Sequence, residues 1–185
     1  MNAVGRSRVG ANRPGPRNFA RLEKAYKIRN EIRAEPLVLD GLLPDGCPEL
    51  AELILSIGGP SAGSTNVGGW KSDDRLFEYD SPAIIALDQA VTEMLGAPSV
   101  AWAMVNHNGS LHRRHQHGGA IVSWVYYVEA GDPLAPTIFE CADGSEVDIE
   151  PQPGRIAVFP GQMWHRMPAY PGQAPRITIA GDVRR

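Results

Sequence analysis

The sequence predicts an α+β chain, mainly β, in which short helices precede a β unit of sandwich, jelly-roll or barrel type. The hydrophobic period changes at Ser99 from helical to strand-like, and seven short β-rich runs follow, divided by Gly, Pro and Asp turns. Helices ahead of such a unit usually buttress one of its outer faces. With 185 residues and 43% hydrophobic content, the chain can bury one sizeable core and is too short for two comfortable domains.

Residues 1–17 are rich in Gly, Arg, Asn and Pro and are expected to form a disordered basic tail. A helical segment from about Asn18 to Arg33 follows, broken by Pro36. Glu49 to Ile57 reads as a short helix, and the Gly/Ser-rich stretch Gly58 to Gly69 as a loop. The clearest helix has Ser81 as N-cap, Pro82 at its first position, an apolar stripe of Ile84, Ile85, Leu87, Val91, Met94 and Leu95, and Gly96 as terminator. The expected strands are Val100–Val105, Ile121–Glu129, Thr137–Cys141, Glu146–Ile149, Arg155–Phe159, Trp164–Met167 and Arg176–Gly181. There are no internal repeats. Residues 18–98 are thus expected to be a helical and loop support for a β core at 99–185, the two forming one structural domain.

A net charge of -3 and a pI near 5.9 argue against a general nucleic-acid binder. The charge is uneven, because residues 1–33 hold nine of the eighteen Lys and Arg against two acids. Such an arm can touch RNA, phospholipid or an acidic partner, or be a tail leading into a solvated helix face. Cys47 and Cys141 are too few for a disulfide framework and form no C-x-x-C, which fits a reducing cytoplasm. The first thirty residues lack the apolar core of a signal peptide, and no run approaches a membrane span. A cytoplasmic protein without membrane contact is expected.

Four of the five histidines, His107, His112, His115 and His117, fall within eleven residues, and His165 stands about fifty residues on. On an extended strand residues two apart share a face, so His115 and His117 can converge on one ion. His165 would close a facial triad from another strand and leave positions on the metal open, as catalysis requires. A closed structural zinc site wants a fourth ligand, and neither cysteine has ligand spacing. His112 lies three residues before His115 and is a candidate to support the site or face a substrate, or is an exposed loop residue; His107 reads as a loop residue. Two ligands from one strand and a third from a later one is how a double-stranded β-helix builds its metal site.

The stretch from Asn106 to Val128, with His115-Gln116-His117 ahead of Ser123-Trp124-Val125-Tyr126-Tyr127-Val128, is followed by Pro153-Gly154-Arg155-Ile156-Ala157-Val158-Phe159-Pro160, His165 and Arg176-Ile177-Thr178. In this order the motifs resemble the 2-oxoglutarate/Fe(II)-dependent oxygenase family with an H-x-H…H ligand pattern. Upstream, Gly69-Trp70-Lys71-Ser72 resembles that family's G-W-x-S segment, so the resemblance spans about residues 64 to 182. It implies a double-stranded β-helix, a jelly-roll or cupin-like barrel, in which His115, His117 and His165 hold Fe(II) and Arg176 anchors the distal carboxylate of 2-oxoglutarate, with O2 as the other cosubstrate.

The chemistry of these residue types agrees. A guanidinium pairs bidentately with a carboxylate and stays charged when partly buried. Thr178 shares the strand face of Arg176 and can add a hydrogen bond. Tyr126 and Tyr127 point to opposite faces, so one of them faces the barrel; Tyr127, and Asn106 on the face of Trp102 and Met104, are further candidates for cosubstrate binding. Trp70 and Lys71 are candidates for the substrate entrance.

Two departures open alternatives. His117 stands where most of the wider superfamily has an aspartate ligand, which leaves two positive charges on Fe(II) instead of one. If His117 were instead the first ligand, His117-Gly118-Gly119 would read as the H-x-G of iron halogenases and orphan His115. Gly109, five residues and His115-x-His117 also open a cupin motif, but the acid expected soon after the pair is absent from Gly118-Gly119-Ala120-Ile121-Val122. The leading expectation is a 2-oxoglutarate-dependent dioxygenase that hydroxylates an unactivated C–H bond of a small-molecule, peptide or protein substrate with release of succinate and CO2. The alternative is a cupin-like metal-binding protein, an isomerase, cosubstrate-free oxygenase or ligand-binding module, and Arg176 discriminates the two. Exposed edge strands of such a barrel also suggest a homodimer.

Overall fold

The structure is a computed structural model that describes residues 16–32, 34–58 and 65–184. All but the last two residues of the expected tail, and residues 59–64 of the expected Gly/Ser loop, lie outside these. Among the described residues three α-helices, α1 (Pro16–Glu31), α2 (Cys47–Ile57) and α3 (Pro82–Leu95), accompany eleven strands. Strands β1 (Leu37–Leu39), β2 (Asn66–Val67) and β3 (Trp70–Lys71) are short. They are followed by β4 (Val100–Asn106), β5 (Leu111–His115), β6 (Ala120–Glu129), β7 (Thr137–Glu140), β8 (Glu146–Ile149), β9 (Ile156–Pro160), β10 (His165–Met167) and β11 (Arg176–Arg184).

The strands form two antiparallel sheets, one ordered β1-β9-β6-β11-β4-β3 and the other β2-β5-β10-β7-β8. This is the mainly β, double-stranded β-helix architecture expected, with three strands contributed from before residue 99. Strand β5 escapes the strand signals because Leu-His-Arg-Arg-His carries four polar residues out of five and none is buried. Hydrogen bonding to β2 and β10, not hydrophobicity, holds it.

Local chemistry fixes α3. Pro82 opens it, the Ser81 hydroxyl accepts from the Ile84 amide at 3.5 Å, and Gly96 closes it at φ 73°, its amide donating to Thr92. Ile84, Leu87, Val91 and Leu95 are fully buried at helical spacing, whereas Ile85 falls off the stripe and is exposed. In α2, Cys47, Leu50, Ala51 and Ile54 form the same kind of stripe. These faces, with Trp124, Tyr126 and Val128 of β6, make a core between the helices and the outer face of the larger sheet. The helices therefore buttress one face, and β6 is buried on both sides from Ala120 to Val128.

The second core lies between the sheets and contains Val125, Tyr127, Phe139, Ile149, Ala157, Phe159 and Met163. Pleating decides the two tyrosines: Tyr127 faces the barrel interior, while the Tyr126 hydroxyl donates to the Leu42 carbonyl on the helical side. Strand β11 lies between β4 and β6, with Asp182 opposite Ser123, Thr178 opposite Tyr127 and Met104, and Arg176 opposite Asn106. Its inward positions Arg176, Thr178, Ala180 and Asp182 all line one cavity.

Candidate active site

His115 ends β5 and pairs directly with His165 at the start of β10. His117 lies two residues beyond β5, in a turn, and its backbone amide donates to the Gly161 carbonyl at 2.6 Å. Gly161 has to be glycine: a Cβ there would sit 2.5 Å from the Ala120 carbonyl and 2.7 Å from that of His117. Backbone pairing therefore carries His117 to the other two. The ring centroids of His115 and His165 are 4.2 Å apart, and His117 lies 5.3 and 5.2 Å from them. One ligand nitrogen from each falls within 4.8 Å of the others.

The Nδ1 atoms are all engaged on the side away from this meeting point. His115 Nδ1 donates to the Arg113 carbonyl at 2.7 Å and His165 Nδ1 to the Met163 carbonyl at 3.1 Å. Because a carbonyl only accepts, each ring carries its proton on Nδ1 and presents the Nε2 lone pair, the form that ligates a metal. Burial lowers the pKa of both, and for His165 the neighbouring His115 lowers it further, which keeps the rings neutral. His117 Nδ1 faces the Asp182 carboxylate at 2.6 Å.

The trio opens into a cavity of about 410 Å³ that also holds Arg176 and Thr178. Arg176 is 1% exposed, and among the described residues none of the ion pairs includes it. Its Nε donates to the Ala135 carbonyl at 3.2 Å and its Nη2 to Thr137 Oγ1 at 3.1 Å. Burial lowers its pKa while the Tyr127 and Tyr170 hydroxyls oppose that shift. A buried cation without a counter-ion is costly, so an anionic ligand is the natural complement of this site.

Among the described residues, three buried polar atoms near it lack hydrogen-bond partners: Thr178 Oγ1, Asn66 Nδ2 and Asn106 Oδ1. Thr178 and Asn66 line the cavity. Orphaned donors beside a buried guanidinium fit a ligand that carries a carboxylate. Neutral histidine nitrogens fit a divalent metal at the other end.

The expected residues thus fall into different roles. His115, His117 and His165 converge, and Arg176 and Thr178 share their cavity. Tyr127 faces inward, but its hydroxyl donates to Thr137 Oγ1 at 2.8 Å and stands behind Arg176. Asn106 Nδ2 lies 3.3 Å from Asn66 Oδ1 and 3.2 Å from His112 Nε2, so it braces those two cavity residues. His112 lines the cavity, with a pKa pushed down to about 3 by burial and then by the charge of Arg176. His107 is exposed. Lys71 lines the cavity, 4.7 Å over the Trp102 ring, while Trp70 packs on the helical core. At the same wall Asp74 receives Lys71 and Arg184, each at 3.0 Å.

Sequence reasoning missed Asp182, Thr137 and Asn66. Asp182 had a usable signal, since it continues the alternation of Arg176, Thr178 and Ala180 along one strand face. Ending that strand at Gly181 hid it.

Comparison with known proteins bears on the same residues. The profile of the family described as "Putative 2OG-Fe(II) oxygenase" matches residues 140–182, a stretch that includes His165, Arg176 and Thr178. No curated protein sequence matches the chain. Among solved structures, a prolyl-4-hydroxylase of Pseudomonas putida superposes with a TM-score of 0.70 at 20% identity, covering 87% of this chain and 98% of that one. A Trichoplax adhaerens prolyl hydroxylase, solved with a hypoxia inducible factor peptide fragment, gives 0.68 at 12% identity, covering 94% of each chain. The collagen prolyl hydroxylase of Paramecium bursaria Chlorella virus-1, solved as its 2-oxoglutarate complex, gives 0.64 at 13%, covering 80% of this chain and 95% of that one. At these identities the likeness is one of fold. Among the described residues no helix is long and apolar enough to cross a membrane.

Proposed function

We propose that the chain is a Fe(II)- and 2-oxoglutarate-dependent dioxygenase, an oxidoreductase that hydroxylates an unactivated C–H bond with release of succinate and CO2. The observation that carries this reading is Arg176, a buried guanidinium that no ion pair among the described residues includes, in the cavity that also gathers three histidines. When bound, iron with 2-oxoglutarate and O2 supplies the oxidising power. The cupin-like alternative would need an anionic ligand of its own for this buried cation.

His115, His117 and His165 would hold Fe(II) through their Nε2 atoms. Arg176 would receive the distal carboxylate of 2-oxoglutarate, and Thr178 would give its unpartnered hydroxyl to the same group. Tyr127 contributes to cosubstrate binding from behind, by fixing Thr137 under the guanidinium. Asn106 does so by holding Asn66 and His112 at the cavity wall. Val125, Phe159, Trp102 and Met104 form apolar wall between these polar groups and exclude water from the reacting atoms. Lys71, Asp74 and Arg184 stand at the wall left for the substrate, a small molecule or a peptide or protein side chain. A cytoplasmic homodimer without nucleic-acid or membrane partners fits the composition and the exposed edge strands.

Anaerobic addition of Fe(II) and 2-oxoglutarate tests the reading. A visible charge-transfer band is expected that vanishes in His115→Ala and weakens in Arg176→Ala. Metal binding with no band on adding 2-oxoglutarate would sink it and leave the cupin-like alternative.

A further inference from the structure

Two of the three histidines lean on neutral backbone carbonyls, and the third does not. His117 Nδ1 lies 2.6 Å from Asp182 Oδ1, with the two side chains only 13% and 8% exposed. The same carboxylate oxygen accepts from Ser123 Oγ at 2.8 Å, so a second donor fixes its direction. Its other oxygen lies 3.6 Å from Arg184 Nη2, which is half exposed and bonds more closely to Asp74 at 3.0 Å. Asp182 thus spends its best contacts on His117 and Ser123. Register explains the arrangement: Asp182 and Ser123 are opposite one another on β11 and β6, Asp182 lining the cavity and Ser123 alternating onto the same face of β6 as Val125, which also lines it.

The asymmetry falls at one position in the triad. His117 occupies the place where a two-histidine, one-carboxylate centre has its anionic ligand. A carboxylate accepting from Nδ1–H makes the imidazole a more basic ligand and pushes negative charge toward the ion through the ring. At these exposures solvent screens the pair weakly.

Building on the dioxygenase reading, we propose that Asp182 is the anionic member of the metal centre, one bond outside the coordination shell, supplying through His117 the negative charge that an aspartate ligand would supply directly. It is a positioning residue. It sets the orientation and donor strength of His117 and lowers the effective charge on Fe(II), so the 2-oxo acid meets a metal close in charge to that of a carboxylate-ligated site. Strand β11 then serves both ends of the cavity, with a cation at Arg176 for the cosubstrate and an anion at Asp182 for the metal.

The test uses Asp182→Asn, whose amide oxygen can still accept from Nδ1–H, so that mainly charge is removed. Anaerobic Co(II) titration followed by its visible d–d bands gives the affinity without turnover. We expect Asp182→Asn to bind Co(II) about 10- to 100-fold more weakly than wild type, and Ser123→Ala, which leaves the carboxylate in place but less fixed, to lose less. With Fe(II) and 2-oxoglutarate the metal-to-ligand band of Asp182→Asn should move to shorter wavelength, because the iron is less electron-rich. A merely structural carboxylate would lower the unfolding midpoint of the metal-free protein and leave these readouts in place. Equal Co(II) affinity in Asp182→Asn and wild type, or weaker binding by Ser123→Ala than by Asp182→Asn, overturns the proposal. Should Asp182→Asn not fold, Ser123→Ala decides alone, with weaker binding upholding the proposal and equal binding overturning it. If wild type binds Co(II) no better than His115→Ala, the dioxygenase reading itself falls, which separates the two failures.

Discussion

The Arg176 guanidinium lies 5.4 Å from the centroid of the Tyr127 ring, and both side chains end on one atom, Thr137 Oγ1, at 3.1 and 2.8 Å. Thr137 accepts twice, which leaves its own proton free to donate. The guanidinium is therefore held in place before any anion arrives, and binding need not order a flexible side chain.

Substitutions in this trio should rank by what they leave unpaired. Tyr127→Phe removes one neutral hydrogen bond and should cost about 1 kcal/mol of stability. Thr137→Val removes the shared acceptor and strands two buried donors, for about 1–3 kcal/mol each before relaxation. Arg176→Lys keeps the charge but loses the fork, so the KM for 2-oxoglutarate should rise by about tenfold or more while metal affinity stays near wild type. Thermal unfolding and succinate formation at varied 2-oxoglutarate check the order. Thr137→Val tolerated better than Tyr127→Phe would contradict it.

Local signals account for what the sequence revealed. Each cap of α3 is a contact between residues three or four apart, Ser81 with Ile84 and Gly96 with Thr92, and the H-x-H pair, His165 and Arg176 sit in short motifs beside strong hydrophobic strands. Features set by long-range register were harder to see. His117 reaches the site through a backbone bond to Gly161, not by lying on a strand with His115, as the alternation argument assumed. Asn66 belongs to a two-residue strand, and Thr137 meets Arg176 across thirty-nine positions of sequence. No local pattern marks such contacts. Asp182 shows a milder case, since a strand drawn one residue longer would have put it on the face of Arg176.

Gly69 is a close-approach glycine. A Cβ there would lie 2.6 Å from Asn106 Nδ2, 2.7 Å from Asn66 Oδ1 and 3.0 Å from the Val105 carbonyl. Gly69→Ala should therefore cost about 1–3 kcal/mol by overpacking and should raise the KM for 2-oxoglutarate by displacing Asn66 at the cavity wall. Gly119→Ala is the control, because its Cβ meets nothing within 4 Å; its stability should stay within about 0.5 kcal/mol of wild type. Chemical denaturation of the two variants side by side decides whether the asparagine pair is as tightly seated as these distances imply.

Metal binding should stabilise the fold, because the three ligands come from β5, the turn after it and β10, which only the folded chain brings together. At a free metal concentration about 100 times Kd the gain is about 2.7 kcal/mol, or roughly 5–11 °C in unfolding midpoint for a chain of this size. Chelator should reverse the shift, and His115→Ala should abolish it. An unfolding midpoint indifferent to metal would mean that the trio does not act as one site.

His112 gives the fold an acid-sensitive element in its metal-free form. Burial, then the charge of Arg176, then the nearby His115 ring push its pKa down to about 3 from an ordinary 6.5. Its Nε2 can accept from Asn106 Nδ2 at 3.2 Å only while the ring is neutral. Below pH 6.5 the unfolded chain takes up a proton at this residue that the folded chain refuses. The contribution to stability is thus complete above 6.5 and drains away as the pH falls toward 3, by at most about 1.4 kcal/mol per pH unit for one group. His115 and His165 are shifted in the same direction and steepen the slope. Urea unfolding of the chelator-treated protein at pH 6.5 and 4.5 should show wild type losing more stability than His112→Asn, with the difference approaching the uptake of one proton. Equal losses in the two proteins would mean that residue 112 titrates freely, and would remove it from the buried polar cluster beside Arg176.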